Sequence, residues 1–357
     1  MFPFFSAPKF KVDSKLEMLD IKTTLDSELA QYYLENYLNG KKSNSSFDNK
    51  IDQIHSEYSK QVPDRNILLE ISKQTSLDFA AIYFTYKILK QKGNTKLQKD
   101  FLKYLNDARN NKLSFIKNEY DILLVPGFDY ADNGHLTGAD FAKPRVLLKN
   151  AGFNVRLVEI DPIGSVEENA IFLSETIRQS KNKKLLIGGA SSAGPAIHLA
   201  LGNYLKPNET KHVKAWLNLG GILQGSPLLD IFSKGFKGSL FDFVVWIKKW
   251  RMGSFDSMRS EISHARFRKN NIPKHILIMN YIGMSLSGNI SRFASDKYRM
   301  MKDLGPNDGL ALLPDLLAPN SLTILAEKSD HFFAEDPEID IKTVALLKTI
   351  VSELNKK

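Results

Sequence analysis

Residues 185–201 read LLIGGASSAGPAIHLAL. An apolar run ends in Gly188-Gly189, two adjacent serines follow among Ala and Gly, and a stretch of helical appearance holds Pro195 and His198. A side chain displayed on a sharp strand-to-helix turn needs small neighbours on both sides, because larger ones would collide with the adjacent strands and the helix. The alternative is a Gly-rich turn cradling a phosphate at a helix start. The stretch lacks the Lys-Ser/Thr ending of a P-loop, and its glycines do not fall in G-x-G-x-x-G. The rest of the chain has to decide between the two.

Outward from this turn, the sequence from Tyr120 onward alternates short apolar runs with helical stretches. The runs are DILLVPG, FNVRLVEIDP, KKLLIGG, VKAWLNLGG, HILIMNYIG and SLTILAEKSD, each closed by Gly, Pro or Asp. ADFAKPRVLLKNAG, VEENAIFLSETIRQS and PAIHLALGNYL lie between or after them. Strands apolar over most of their length, alternating with helices, imply an α/β fold with a mainly parallel sheet covered on both faces. Residues 14 to 118 read as helical throughout, as in SELAQYYLENYL and LDFAAIYFTYKILK, with no strand pattern. The expected organisation is an all-helical N-terminal region over 1–118 and a sheet domain over 119–357.

At 357 residues the chain can bury a sizeable core. Hydrophobic residues at 43% and charged residues at 25% are ordinary for a globular protein, and no apolar run reaches the 18 or so residues of a membrane span. The start, MFPFFSAPKF, lacks a basic region and has prolines where a leader would be apolar. The absence of cysteine rules out a disulfide, a thiolate metal site and a cysteine nucleophile, and fits a reducing compartment. A cytoplasmic location is the expectation, with export left open.

The turn now has a context. Gly189-Ala190-Ser191-Ser192-Ala193-Gly194 after an apolar strand resembles the nucleophile turn of the α/β-hydrolase fold, small-x-Ser-x-small followed by a helix. Both Ser191 and Ser192 fit. The frequent Gly-x-Ser-x-Gly-Gly form favours Ser191, with Ala193 in place of the first glycine of the pair. The resemblance implies that an acid and a histidine follow in the order Ser, Asp/Glu, His. Of the histidines well beyond the turn, His264 lies in a basic insert, His275 opens a strand, and His331 follows the last strand in Ser329-Asp330-His331-Phe332-Phe333. Gly305-Pro306-Asn307-Asp308-Gly309-Leu310 is similar to the segment that carries the acid in many bacterial lipases. The implied triad is Ser191, Asp308 and His331. The resemblance also implies an oxyanion hole made of the N–H groups of Ser192 and of Phe128, the latter in DILLVPGFDY, where Pro126 replaces the family's usual histidine. In Trp216–Asp230 the GSPLLD ending matches bacterial lipases, whereas Ile222 and Leu223 replace their Pro and His. The resemblance covers residues 119 to 354 or so and does not touch the N-terminal third.

A cap or lid insert is expected over about 223–273. Between Lys234 and Lys269 stand nine Lys/Arg against Asp242, Asp256 and Glu261, so +6 of the chain's net +9 gathers there. Leu240, Phe241, Phe243, Val244, Trp246, Ile247 and Trp250 adjoin Lys248, Lys249 and Arg251. Two readings are open, a cap helix packed over the sheet and an interfacial helix on an anionic membrane surface. No nucleic-acid signature is present. The sequence thus points to a serine hydrolase of carboxylic esters, lipase or esterase in type, with no metal or organic cofactor and a small-molecule or lipid ester as substrate. Rival readings are a catalytically silent binding protein of the same fold, docked through the basic insert, and a peptidase or acyltransferase using the same residues.

Overall fold

Two antiparallel strands open the described chain, β1 (Phe10–Leu16) and β2 (Leu19–Leu25), paired from Phe10↔Leu25 to Leu16↔Leu19. This is a computed structural model, and it describes residues 9–59, 61–114, 119–180, 184–233, 250–333 and 336–356. The hairpin corrects the expectation of an all-helical N-terminal region. Val12 and Leu16 on β1, with Leu19, Ile21 and Leu25 on β2, are buried, while Lys15–Asp20 (3.1 Å) and Lys22–Asp13 (3.0 Å) pair across the strands. That alternation has period 2, the mark of a half-buried strand.

From residue 28 the N-terminal third is helical as expected. The helices Glu28–Glu35, Ser45–Glu57, Arg65–Gln74 and Leu77–Lys90 each start at a residue whose side-chain oxygen accepts a backbone N–H of the first turn: Ser27, Asn44, Asp64 and Ser76. Such caps satisfy donors that have no partner inside the helix. Among the described residues no helix is long and apolar enough to cross a membrane.

All six apolar runs after Tyr120 form strands of one sheet: β3 (Tyr120–Val125), β4 (Asn154–Leu157), β5 (Lys184–Ala190), β6 (Val213–Leu219), β7 (Leu277–Gly283) and β8 (Leu322–Ala326). Their order is β4-β3-β5-β6-β7-β8, with parallel pairing from β4 through β7. Every residue of β7 is buried, whereas β4 at the edge alternates. The helix Val166–Gln179 opens with a reciprocal capping box between Ser165 and Glu168.

The chain leaves β3 toward β4 on one side and then places β5 on the other, so the order of strands reverses about β3. In open parallel sheets a ligand crevice forms at the carboxyl ends of strands at such a reversal. The register Val125↔Gly189 brings the segment after β3 level with the serine turn after β5.

Two compact units divide the chain. One contains Met1–Gln98, Ile282–Pro314 and Leu325–His331, and the other Lys99–Tyr281, Asp315–Ile324 and Phe332–Lys357.

Candidate active site

β5 ends at Ala190 and the next helix begins at Ala193, so Ser191 and Ser192 alone reverse the chain. Ser191 has φ 54°, in the left-handed region, and Ser192 has an ordinary φ of −62° and ψ of −19°. A left-handed residue with a Cβ is disfavoured by about 1–2 kcal/mol, so its surroundings must hold it there. The Ser191 N–H donates to the Leu219 carbonyl (3.2 Å), and the Ser191 carbonyl accepts from Gly194 (3.0 Å) and Ile222 (3.2 Å).

The small neighbours have physical reasons. A Cβ on Gly189 would lie 2.2 Å from Ile197 Cδ1 on the helix, and one on Gly194 would lie 2.7 Å from the Gly221 Cα. The helix Ala193–Leu199 therefore rests backbone against backbone on the loop after β6. Pro195 fits in its first turn, where an N–H has no helical acceptor.

After β3, a Cβ on Gly127 would come within 3.6 Å of both the Ser191 Cβ and the Ala190 carbonyl. The Gly127 N–H donates to Ala139 O (3.2 Å) and the Asp129 N–H to Pro162 O (2.7 Å). Among the described residues, no acceptor engages the N–H of Phe128 or of Ser192. Gly127 thus approaches the serine turn, and Phe128 and Ser192, the expected oxyanion donors, each follow a residue whose N–H is already committed.

Asp308 and His331 come together in the other unit. His331 Nδ1 is 2.8 Å from Asp308 Oδ2, and both side chains are almost wholly buried. Asp308 Oδ1 accepts the N–H groups of Leu310 (2.9 Å) and Ala311 (2.8 Å), which orients the carboxylate. Its acceptor role makes His331 Nδ1 the donor and puts the neutral ring's lone pair on Nε2. One residue earlier, Asp330 Oδ2 accepts the Ser291 N–H at 2.6 Å and ties down the loop. Ser191, Ser192 and Phe128 belong to one compact unit and Asp308 with His331 to the other.

Two other histidines have packing roles. His275 Nε2 lies 2.9 Å from the Thr210 carbonyl. His198, on the helix after the serine turn, is stacked on Trp216 and beside Phe267, and burial pushes it down to about 4.

The sequence reading missed Asn218 and Asn280. They pair in register on β6 and β7, with Asn218 Nδ2 3.0 Å from Asn280 Oδ1 and 2.8 Å from the Leu316 carbonyl. Asn218 Oδ1 reaches toward Gly194 and Gly221, where a Cβ on either would lie 3.0 Å or 2.1 Å from it. The signal was an asparagine in the middle of each of two adjacent apolar strands.

No family model matches the sequence, and no curated protein matches it. Solved structures do. The metagenomic carboxyl esterase MGS0156 aligns with a TM-score of 0.55 at 17% identity, over 68% of this chain and 78% of that one. The propeptide form of the Bacillus licheniformis lipase BlEst2 aligns with a TM-score of 0.50 at 20% identity, over 63% of this chain and 50% of that one. The chain has the α/β-hydrolase fold. The serine turn makes a strand-to-helix elbow after β5, and Asp308 and His331 follow it in the chain.

Part of the expected insert, residues 234–249, lies outside the described residues, and with it Leu240, Phe241, Phe243, Val244, Trp246, Ile247, Lys234, Lys237, Lys248 and Lys249. Of the remaining cations, Arg251 pairs with Asp161 (2.9 Å) and Glu168, Arg259 with Asp230 (3.5 Å), and Arg266 with Glu167 (2.7 Å). The Trp250 ring packs on Phe128 and Phe255.

Proposed function

We propose that the protein is a serine hydrolase of carboxylic esters, with Ser191 as nucleophile, His331 as general base and Asp308 as its orienting acid. The observation that carries this reading is the left-handed Ser191 just after β5, followed by Ser192 and approached by Gly127, which precedes Phe128; no described acceptor engages the N–H of Ser192 or of Phe128. The His331–Asp308 pair supports it, and so do the printed names of the two aligned structures, a carboxyl esterase and a lipase.

A serine hydroxyl becomes a nucleophile when a base removes its proton as it attacks. In the proposed reaction His331 Nε2 takes that proton, and the imidazolium formed is stabilised by Asp308 through Nδ1. The Ser191 Oγ adds to the ester carbonyl, whose oxygen becomes an oxyanion received by the N–H groups of Phe128 and Ser192. Collapse of the tetrahedral adduct expels the alcohol with the proton held by His331 and leaves an acyl-enzyme. Water, deprotonated by the same histidine, then releases the acid and restores Ser191.

Labelling of the intact protein with a fluorophosphonate, followed by peptide mapping, tests the assignment together with release of p-nitrophenol from a short p-nitrophenyl ester. Label on Ser191 with turnover is the expected result. Absence of both would remove the enzyme reading and leave a binding protein of this fold.

A further inference from the structure

We infer that Trp250 and Phe255 are positioning residues that fix the Phe128 N–H in the oxyanion site, an inference that rests on the proposed role of Phe128. The Phe128 ring lies edge-on to Trp250 with centroids 5.5 Å apart at 74°, and 5.0 Å from Phe255 at 55°. Trp250 and Phe255 lie 5.6 Å from each other, so each of the three rings contacts the other two. Aromatic pairs of this geometry contribute about 0.5–1.5 kcal/mol each beyond the area they bury.

The peptide that presents the Phe128 N–H has few other restraints. Gly127 before it has no Cβ and is held through its N–H to Ala139. Asp129 after it is left-handed, φ 56°, with its N–H on the Pro162 carbonyl. Between these two bonds, a shift of the Phe128 Cα would carry its N–H out of place. The ring is bonded through its Cβ to that Cα, so packing that holds the ring holds the Cα and, with it, the nitrogen that carries the N–H.

The gripping segment is itself anchored to the loop that holds Asp129. Arg251 pairs with Asp161 at 2.9 Å and with Glu168. Ser254 Oγ donates to the Ile163 carbonyl, and Ser257 Oγ accepts the Val166 N–H at 3.1 Å. From the same loop, Pro162 holds Asp129, and the carbonyl of Ile160 takes the Tyr130 hydroxyl at 2.9 Å. Residues 160–168 therefore set both the backbone after Phe128 and the rings around it. Arg251 holds the Glu168 carboxyl down to about 2, so this ion pair is charged throughout neutral pH. An oxyanion donor placed this way acts on a charge that exists only in the transition state, so its misplacement lowers kcat more than it raises KM.

The test uses the full chain, with kcat and KM on p-nitrophenyl acetate and inhibition by butaneboronic acid, whose tetrahedral adduct on the serine places an oxygen in the oxyanion site. Trp250→Ala should lower kcat on the order of tenfold with KM within about twofold, less than the 10²–10³-fold cost of deleting an oxyanion donor outright. Boronate affinity should fall by the same factor as kcat. Trp250→Phe should recover most of the loss, and Arg251→Gln, which loosens the anchor and leaves the rings, should give a smaller loss of the same kind. Unchanged kcat and boronate affinity in Trp250→Ala would overturn the inference, as would a raised KM at constant kcat, which would make the rings a substrate pocket. Should Trp250→Ala fail to fold, Phe255→Leu and Arg251→Gln carry the same comparison. If the unaltered protein is labelled at Ser191 and turns over ester, any of these failures strikes the positioning role alone. If it does neither, the catalytic reading itself has failed.

Discussion

His331 and Asp308 are joined twice, by the 2.8 Å contact of Nδ1 with Oδ2 and by the His331 N–H donating to the Asp308 carbonyl at 3.0 Å. The backbone bond fixes the separation of the two loops and the side-chain bond fixes the ring. Asp308→Asn keeps the shape and replaces an acceptor by an amide that can turn its NH2 toward Nδ1, so the ring can take the wrong tautomer. On the proposed mechanism kcat should then fall by roughly 10²–10⁴-fold with a small change in melting temperature. Loss of stability alone, with kcat preserved, would show that the pair is structural.

The two serines make separable predictions. Ser191→Ala should lose fluorophosphonate labelling and on the order of 10⁴-fold or more in ester turnover, because it removes the nucleophile. Ser192→Ala keeps the backbone N–H assigned to the oxyanion and should retain turnover within about tenfold. A dead Ser192→Ala beside an active Ser191→Ala would move the nucleophile by one position.

How far these features could be read from the sequence depends on how local their causes are. The six strands of the main sheet are legible because each is an apolar run closed by Gly, Pro or Asp, a signal contained within a few residues. The pairing of Asp308 with His331 is legible only through the resemblance, which implies an acid and then a histidine after the late strands. The β1–β2 hairpin is harder, since Ser14 and Thr23 interrupt the apolar alternation and the strands pair only with each other. The grip of Trp250 on Phe128 joins residues far apart in the chain through ring packing alone. Nothing in either segment marks that partner.

The glycines around the elbow give a third prediction. Gly194→Ala would place a methyl 2.7 Å from the Gly221 Cα, a backbone atom that cannot step aside without moving Ile222, whose N–H holds the Ser191 carbonyl. Overpacking of this kind costs about 1–3 kcal/mol, and the labelling rate at Ser191 should fall with it. Gly253 lies in a short helix with nothing within 4 Å of a built Cβ. Gly253→Ala should be neutral or stabilise by up to about 1 kcal/mol. Equal thermal melting of the two variants would contradict this account of the elbow.

A fourth prediction concerns pH and the buried carboxyls of Asp26 and Asp78. The Asp26 N–H donates to Asp78 Oδ2 at 2.7 Å, the Asp78 N–H to Asp26 Oδ2 at 3.3 Å, and the Ser287 N–H to Asp78 Oδ1 at 2.8 Å. Burial, and then the charge of Asp26, push Asp78 up to about 7, and burial raises Asp26 as well. Between about pH 4 and 7 the unfolded chain has released the Asp78 proton while the folded chain keeps it. Unfolding therefore releases a proton in that window, and raising the pH favours the unfolded state. The contribution of this pair to stability should fall as pH rises from about 4 to about 7, by at most about 1.4 kcal/mol per pH unit for each proton, and level off above. Asp26→Asn removes one of the two carboxyls and the charge that helps raise the other, so the window should narrow. Urea unfolding of both proteins at pH 5, 6, 7 and 8 reads the effect as a difference, which cancels the titration of all other groups. The variant should gain on the unaltered protein between pH 5 and 7 and hold that gain at pH 8. A difference constant across the four pH values would mean that the pair does not share a retained proton.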